Sequence, residues 1–294
     1  MSVPQTLHSP PKAGSFFIPV NRPCFSLGAF AFGASRMRPL VLFFLAVVAA
    51  SPAKAREMPK GFVYLHDVDP SILQDMRYAS EHNFTGHAVS GYDAPECVLV
   101  SQAAEALKAV QAELREKQLA LKVYDCYRPA RAVKAFVTWA KLPDDPKAKS
   151  TYYPALQKRD LFPDYVALVS SHSHGATVDL TIVRLNPGEP ASPPPGTPTP
   201  CTAALGKRAP DTSIDMGTAF DCFDVKAHTE VPALTPEQQQ NRRMLVEAMS
   251  RQGFKNYEKE WWHFTLEHEP YPDTVFDFPI TPRAQGATPA EVGK

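Results

Sequence analysis

Nowhere in the 294 residues is there an uninterrupted apolar run of the roughly 18 needed for a helix to cross a bilayer. Basic runs and a Gly-rich phosphate loop are also missing, and the formal net charge is zero, so the usual footprints of nucleic-acid binding are absent. Without heptads a coiled coil is excluded. No CxxC pair occurs, which removes the cysteines as zinc-finger ligands. HExxH is missing too: Lys259, not histidine, precedes Glu260, and the segment to His263 has no helical character. What is present is 44% hydrophobic residues, enough for one globular domain with a sizeable core and appendages.

Two segments carry the chemistry. The first is Ser170-Ser171-His172-Ser173-His174-Gly175-Ala176-Thr177-Val178-Asp179, and the second is Glu260-Trp261-Trp262-His263. Hydrolytic zinc sites take three protein ligands of nitrogen and oxygen type and leave a fourth position for water. His172, Asp179 and His263 supply such a set, one zinc per chain, with Glu260 beside it as general base. An iron facial triad also uses two histidines and a carboxylate, but its first pair is His-x-Asp, whereas six residues separate His172 from Asp179; zinc is favoured.

From Thr177 the chain alternates, with Val178, Leu180 and Ile182 on one strand face and Asp179 on the other, towards a polar cleft. Gly175 gives the turn that brings His172 back over Asp179. Trp262, Phe264 and Leu266 alternate against Trp261, His263 and Thr265 in a second expected strand. On it Glu260 and His263 have opposite parity, so a bulge or strong twist is required for both to face one metal.

Other elements follow from pattern. Strands are expected over 61–66, 119–125 and 165–170, and 72–79 carries Tyr78. Ser101 is read as the N-cap of a helix whose Ala103, Leu107, Val110 and Leu114 form its buried stripe. Pro129 opens a helix over 130–140, which leaves Arg128 at a strand-to-helix corner; beside a metal it suits an oxyanion. Residues 141–164 read as a loop over the site or a crossover, Asp221 and Asp224 as cation binders or turn caps, and His228 as solvent-exposed in preference to a fourth ligand. Thr235-Pro236-Glu237-Gln238 is a capping box for a helix burying Leu245 and Met249 and ending at Gly253.

Residues 1–55 are set aside as an upstream segment and secretory signal: Arg36-Met37-Arg38, then an apolar run from Leu40 to Ala50, then Ala53-Lys54-Ala55 as cleavage site. Met37 is the better initiator of the two. The product is expected to be exported, to the periplasm, and to keep no membrane span. It retains Cys97, Cys126, Cys201 and Cys222, and four cysteines allow three pairings. The expected choice is Cys97 with Cys126, bracing the strand before Arg128, and Cys201 with Cys222, closing a Pro-rich insertion (187–200) onto the segment bearing Asp221. The folded domain is expected over 56–280, with a disordered tail over 281–294.

At the metal segments the chain resembles the zinc D-alanyl-D-alanine dipeptidases of the vancomycin-resistance type, whose pattern is Ser-x-His-x-x-Gly-x-Ala-x-Asp followed by Glu-x-x-His. Ser170, His172, Gly175, Asp179, Glu260 and His263 match it, as do Asp125-Cys126-Tyr127-Arg128-Pro129, Asn83-Phe84-Thr85-Gly86 and Glu269-Pro270-Tyr271-Pro272. Thr177 and His174 depart from the pattern. The resemblance implies that His172, Asp179 and His263 bind zinc, that Glu260 is the base and that Arg128 holds the oxyanion. It also implies that Ser170 meets the substrate carboxylate and that Asp221 and Tyr78 meet its ammonium group.

The expected fold is α+β: a central, mostly antiparallel sheet, helices on one face and the zinc site on the other. The expected activity is hydrolysis of free D-Ala-D-Ala. The alternatives are a carboxypeptidase or endopeptidase acting on peptidoglycan peptides, and a non-catalytic zinc module binding wall fragments.

Overall fold

The computed structural model describes residues 57–186 and 199–284. The expected signal segment, all but the end of the Pro-rich insertion, and the tail from 285 lie outside the described residues. In chain order the elements are β1 (Phe62–Tyr64), α1 (Leu65–Val68), β2 (Leu73–Gln74), β3 (Val98–Val100), α2 (Ser101–Glu116), β4 (Leu119–Asp125), α3 (Ala130–Ala140), α4 (Pro146–Tyr152), β5 (Thr177–Arg184), α5 (Pro236–Ser250), β6 (Phe254–Asn256) and β7 (His263–Leu266), with short 3-10 turns between them.

Five strands form one sheet in the order β2-β4-β5-β7-β6, and β1 and β3 form a separate antiparallel pair. Only β2 and β4 run parallel; the other neighbours are antiparallel, which gives the expected α+β architecture. Register places Leu121 opposite Ile182, Val123 opposite Leu180, and Val178 opposite Phe264, so one sheet face is continuously apolar. Helix α2 packs on β4 and on α5, and α5 on β6, burying Leu107, Val110, Leu114, Leu245 and Met249. The pleat then sends Asp179 to the opposite face, where α3 walls a cleft with Val133 and Phe136.

Several local expectations are corrected. Ser101 is the first helical residue and not the cap; no side chain caps α2, and the Ser101 amide donates to the Gly61 carbonyl at 2.8 Å. The strand expected over 61–66 ends at Tyr64, where the chain turns into α1. Residues 165–170 are a turn-rich loop: the Tyr165 and Val166 amides both donate to the Leu161 carbonyl, and Leu168 and Val169 are exposed. The supposed loop 141–164 contains α4, with the Asp145 side chain accepting from the Lys147 amide and Pro146 in the first turn. Thr235 and Gln238 form the expected capping box at the start of α5.

Both expected disulfides are present, Cys97–Cys126 and Cys201–Cys222, each with Cα atoms 5.4 Å apart. Among the described residues no helix is long and apolar enough to cross a membrane.

Candidate metal centre and active site

His172 sits in a 3-10 turn (Ser171–His174) whose cap is Ser170; its hydroxyl oxygen accepts from the His172 amide at 3.3 Å. Gly175 ends the turn in the left-handed region, φ 85°, and its amide donates to the His172 carbonyl at 3.1 Å. A Cβ at this position would lie 2.2 Å from Cε1 of Phe62, so glycine is required for both conformation and space. The turn returns His172, fully buried, over Asp179 on β5, and β7 sets His263 directly opposite Asp179 in the ladder.

The three side chains form a compact triangle. Asp179 Oδ1 is 3.3 Å from His172 Nε2 and 3.0 Å from His263 Nδ1, and the two imidazole nitrogens are 3.2 Å apart. A tetrahedral ion with ligand bonds of about 2.0–2.1 Å has ligand-to-ligand edges of about 3.3–3.4 Å, close to these values. His172 Nδ1 lies 2.7 Å from the Cys126 carbonyl and donates its proton there, which leaves the Nε2 lone pair facing the triangle. Asp179 Oδ1 is buried and accepts no hydrogen bond. These features fit a divalent cation held by the three side chains.

Electrostatics prepares the same state. Burial pushes the Asp179 carboxyl up, but the adjoining His172 and His263 imidazoles overcome this and hold it below the usual carboxylate range. Burial lowers the His263 imidazole against the pull of Asp179, favouring the neutral ring that metal ligation needs. Glu260 is buried beside the triangle, its Oε2 3.6 Å from His263 Nδ1. Burial, with the Asp179 and Asp221 carboxylates nearby, raises its carboxyl well above the ordinary value, Arg128 opposing. A carboxyl tuned upward in a cleft is suited to taking up and passing on a proton.

Glu260 does not lie on a strand. β7 starts at His263, and residues 257–262 form the β6–β7 turn, with the Glu260 amide donating to Tyr257 and the His263 amide to Glu260. The parity conflict read from the sequence therefore vanishes: no bulge is needed, because the turn swings the carboxylate round to the metal side.

Arg128 follows β4 at the corner before α3. Its Nε donates to Asp125 Oδ2 at 2.9 Å, an Nη lies 3.6 Å from Asp179 Oδ2, and its guanidinium stacks over the Tyr78 and Phe136 rings. Asp125, fully buried, also accepts from the Tyr92 hydroxyl at 2.7 Å. Asp221 has φ 56°, and both its oxygens accept from the Tyr78 hydroxyl at 3.0 Å. Burial, then Asp179, raises its carboxyl well above the ordinary range.

Tyr78, Arg128, Ser170, Asp179, Asp221, Glu260 and His263 all line one cavity of about 220 Å³, with apolar walls from Phe84, Val133, Phe136 and Trp262. That volume lies below the roughly 300 Å³ at which pockets for drug-sized ligands begin, so the cavity suits a very small molecule. His174 pairs with Glu269 at 3.1 Å, and His228 is half-buried against the Tyr165 hydroxyl at 3.2 Å. Asp224 caps a turn through the Lys226 amide.

A family model described as D-ala-D-ala dipeptidase matches residues 58–193 and 203–281. This chain belongs to that family. Relatives named D-alanyl-D-alanine dipeptidase include one from Enterococcus faecium, 34% identical over 224 residues, covering 76% of this chain and 100% of the relative. Another, from Streptomyces coelicolor, is 36% identical over the same length and coverage. One from Escherichia coli is 28% identical over 200 residues, 67% of this chain and 80% of the relative. As a family member the protein is a metallopeptidase of the dipeptidase class.

Proposed function

We propose that this family member hydrolyses free D-alanyl-D-alanine with one zinc ion held by His172, Asp179 and His263. The observation that carries the reading is the ligand triangle opening onto a cavity of about 220 Å³ that also holds a buried carboxyl and a guanidinium. Zinc suits the two-nitrogen, one-oxygen donor set, and when bound it supplies Lewis acidity to the peptide carbonyl and to water. Glu260 takes a proton from the attacking water and delivers it to the departing amine nitrogen. Arg128, held by Asp125, donates to the oxyanion as the carbonyl carbon becomes tetrahedral.

Specificity for a dipeptide follows from the two ends of the cavity. Asp221, with Tyr78 donating to it, receives the substrate ammonium; Ser170, on the cap before His172, receives the carboxylate. An extended peptide would place an uncharged amide against Asp221 and leave that carboxylate buried without a cation. The two disulfides support an exported, periplasmic enzyme acting on dipeptides released from wall metabolism.

The test is turnover of D-Ala-D-Ala, L-Ala-L-Ala and N-acyl-D-Ala-D-Ala by the purified protein, with and without a chelator. D-Ala-D-Ala is expected to be cleaved and the N-acylated peptide refused, with activity lost to the chelator. Preferential cleavage of the acylated peptide would assign the protein to carboxypeptidase chemistry instead.

A further inference from the structure

We propose that the Cys97–Cys126 disulfide is a positioning element of the metal centre, an inference that rests on the metal-binding reading of His172, Asp179 and His263. Cys126 does two things at once. Its side chain is cross-linked to Cys97, and its backbone carbonyl is the acceptor, at 2.7 Å, that fixes the His172 ring. Carbonyls that orient a ligating histidine contribute strongly to metal affinity, although they never touch the metal.

The sheet does not secure this carbonyl by itself. The β4–β5 ladder shifts register between Val123 and Asp125, and Asp125 opposite Asp179 is its last pair, so Cys126 lies just past the end of the regular pairing. Other links hold the corner: the disulfide, the Tyr127 amide donating to the Val98 carbonyl at 2.9 Å, and the Tyr127 hydroxyl, which donates to the Phe278 carbonyl at 3.1 Å and accepts from the Phe278 amide at 2.9 Å. Beyond the corner, the Arg128 amide donates to the His172 carbonyl at 3.2 Å and the Ser173 hydroxyl donates to the Arg128 carbonyl at 2.8 Å. Arg128 and the His172 turn are therefore tied to each other and travel together. Asp179 and His263 stand on the sheet, paired by the β5–β7 ladder. Releasing the disulfide lets the Arg128–His172 unit shift against the other two ligands, so metal affinity and kcat fall together.

The second disulfide serves as an internal control. Cys222 adjoins Asp221, and the segment around it is held by the Cys201 amide donating to the Thr151 carbonyl and the Phe223 amide to the Tyr152 carbonyl, each at 2.8 Å, neither bond involving a metal ligand. Its removal acts on the substrate end of the cavity.

The experiment compares metal dissociation constants, by competition with a fluorescent chelator, for the wild type, Cys97→Ala/Cys126→Ala and Cys201→Ala/Cys222→Ala. All are measured at a temperature where circular dichroism shows a folded protein. The first pair is expected to bind zinc about 10- to 100-fold more weakly and to lose kcat. The second should keep wild-type zinc affinity and raise KM. If the first pair does not fold, Cys97→Val/Cys126→Ala, which refills most of the lost sulfur volume, takes its place with the same expectation. Wild-type zinc affinity in the folded first pair, with only a lowered Tm, overturns the inference and leaves the metal site standing. Failure of the wild type itself to take up zinc overturns the metal reading and this inference with it.

Discussion

Replacing Glu260 by glutamine separates proton transfer from metal binding and from folding. The amide is nearly isosteric, and His172, Asp179 and His263 are untouched, so zinc uptake should be unchanged. A positioned acid–base group accounts for about 10² to 10⁴ in rate, which at about 1.4 kcal/mol per tenfold is about 2.8–5.6 kcal/mol of transition-state stabilisation. kcat for the dipeptide should fall by that factor. Stability should move the opposite way. The buried Glu260 carboxyl titrates above its unfolded value because of burial and the Asp179 and Asp221 carboxylates. Its contribution therefore becomes unfavourable as pH rises from the unfolded pKa, about 4.3, towards the raised folded one. Glutamine removes that penalty, so the chelator-stripped variant should melt above the stripped wild type at neutral pH and match it in acid. Steady-state kinetics with a metal assay, and thermal melts in chelator across pH, read both effects. Near-wild-type turnover in a zinc-loaded Glu260→Gln protein would refute the assignment of the base.

Three further outcomes follow from the same structure. Arg128→Ala should retain zinc and lose about 10² to 10³ in kcat, the usual loss for one oxyanion donor, as measured on the same dipeptide. Asp211 accepts from Lys122 and, at 2.6 Å, from the Tyr124 hydroxyl, with Arg77 at 3.3 Å; burial pushes its carboxyl up, but Lys122 and Arg77 bring it below the ordinary value. Its stabilisation is present above the unfolded pKa near 4 and is lost as pH falls through the folded one, so Asp211→Asn should cost about 3–5 kcal/mol at pH 7 in denaturant melts and much less in strong acid. Gly175→Ala should cost about 1–2 kcal/mol for left-handed backbone and about 1–3 for overpacking against Phe62, a ring packed against Tyr127, Phe276 and Phe278, with zinc affinity reduced as the His172 turn shifts; calorimetry and metal titration check it.

The sequence exposes the parts of this molecule in which local chemistry and tertiary placement agree. Strict alternation from Thr177 puts Asp179 on the cleft face, and Pro129 and Asp125 bound α3 and β4 as observed. Periodicity fails where local turn and cap hydrogen bonds, which alternation does not register, order the chain. Residues 165–170 have strand-like composition, yet they form a loop at the cavity mouth with Leu168 and Val169 in solvent. Alternation gives Glu260 a strand parity, yet the backbone there is a turn in which the Glu260 amide donates to the Tyr257 carbonyl and the His263 amide to the Glu260 carbonyl. Asp145-Pro146 is a start signal for α4 set in a polar segment whose composition reads as loop. Asp125 is the functional residue that sequence reading missed: a carboxylate three residues before Arg128 has no meaning until the corner folds it back onto the guanidinium.

The account turns on three side chains holding one ion. Protein stripped with a chelator, dialysed and titrated with zinc should take up one equivalent per chain, while His263→Ala, left with two ligands, should lose tight binding and remain folded. Uptake by His263→Ala indistinguishable from wild type, or no stoichiometric uptake by the wild type, would contradict it.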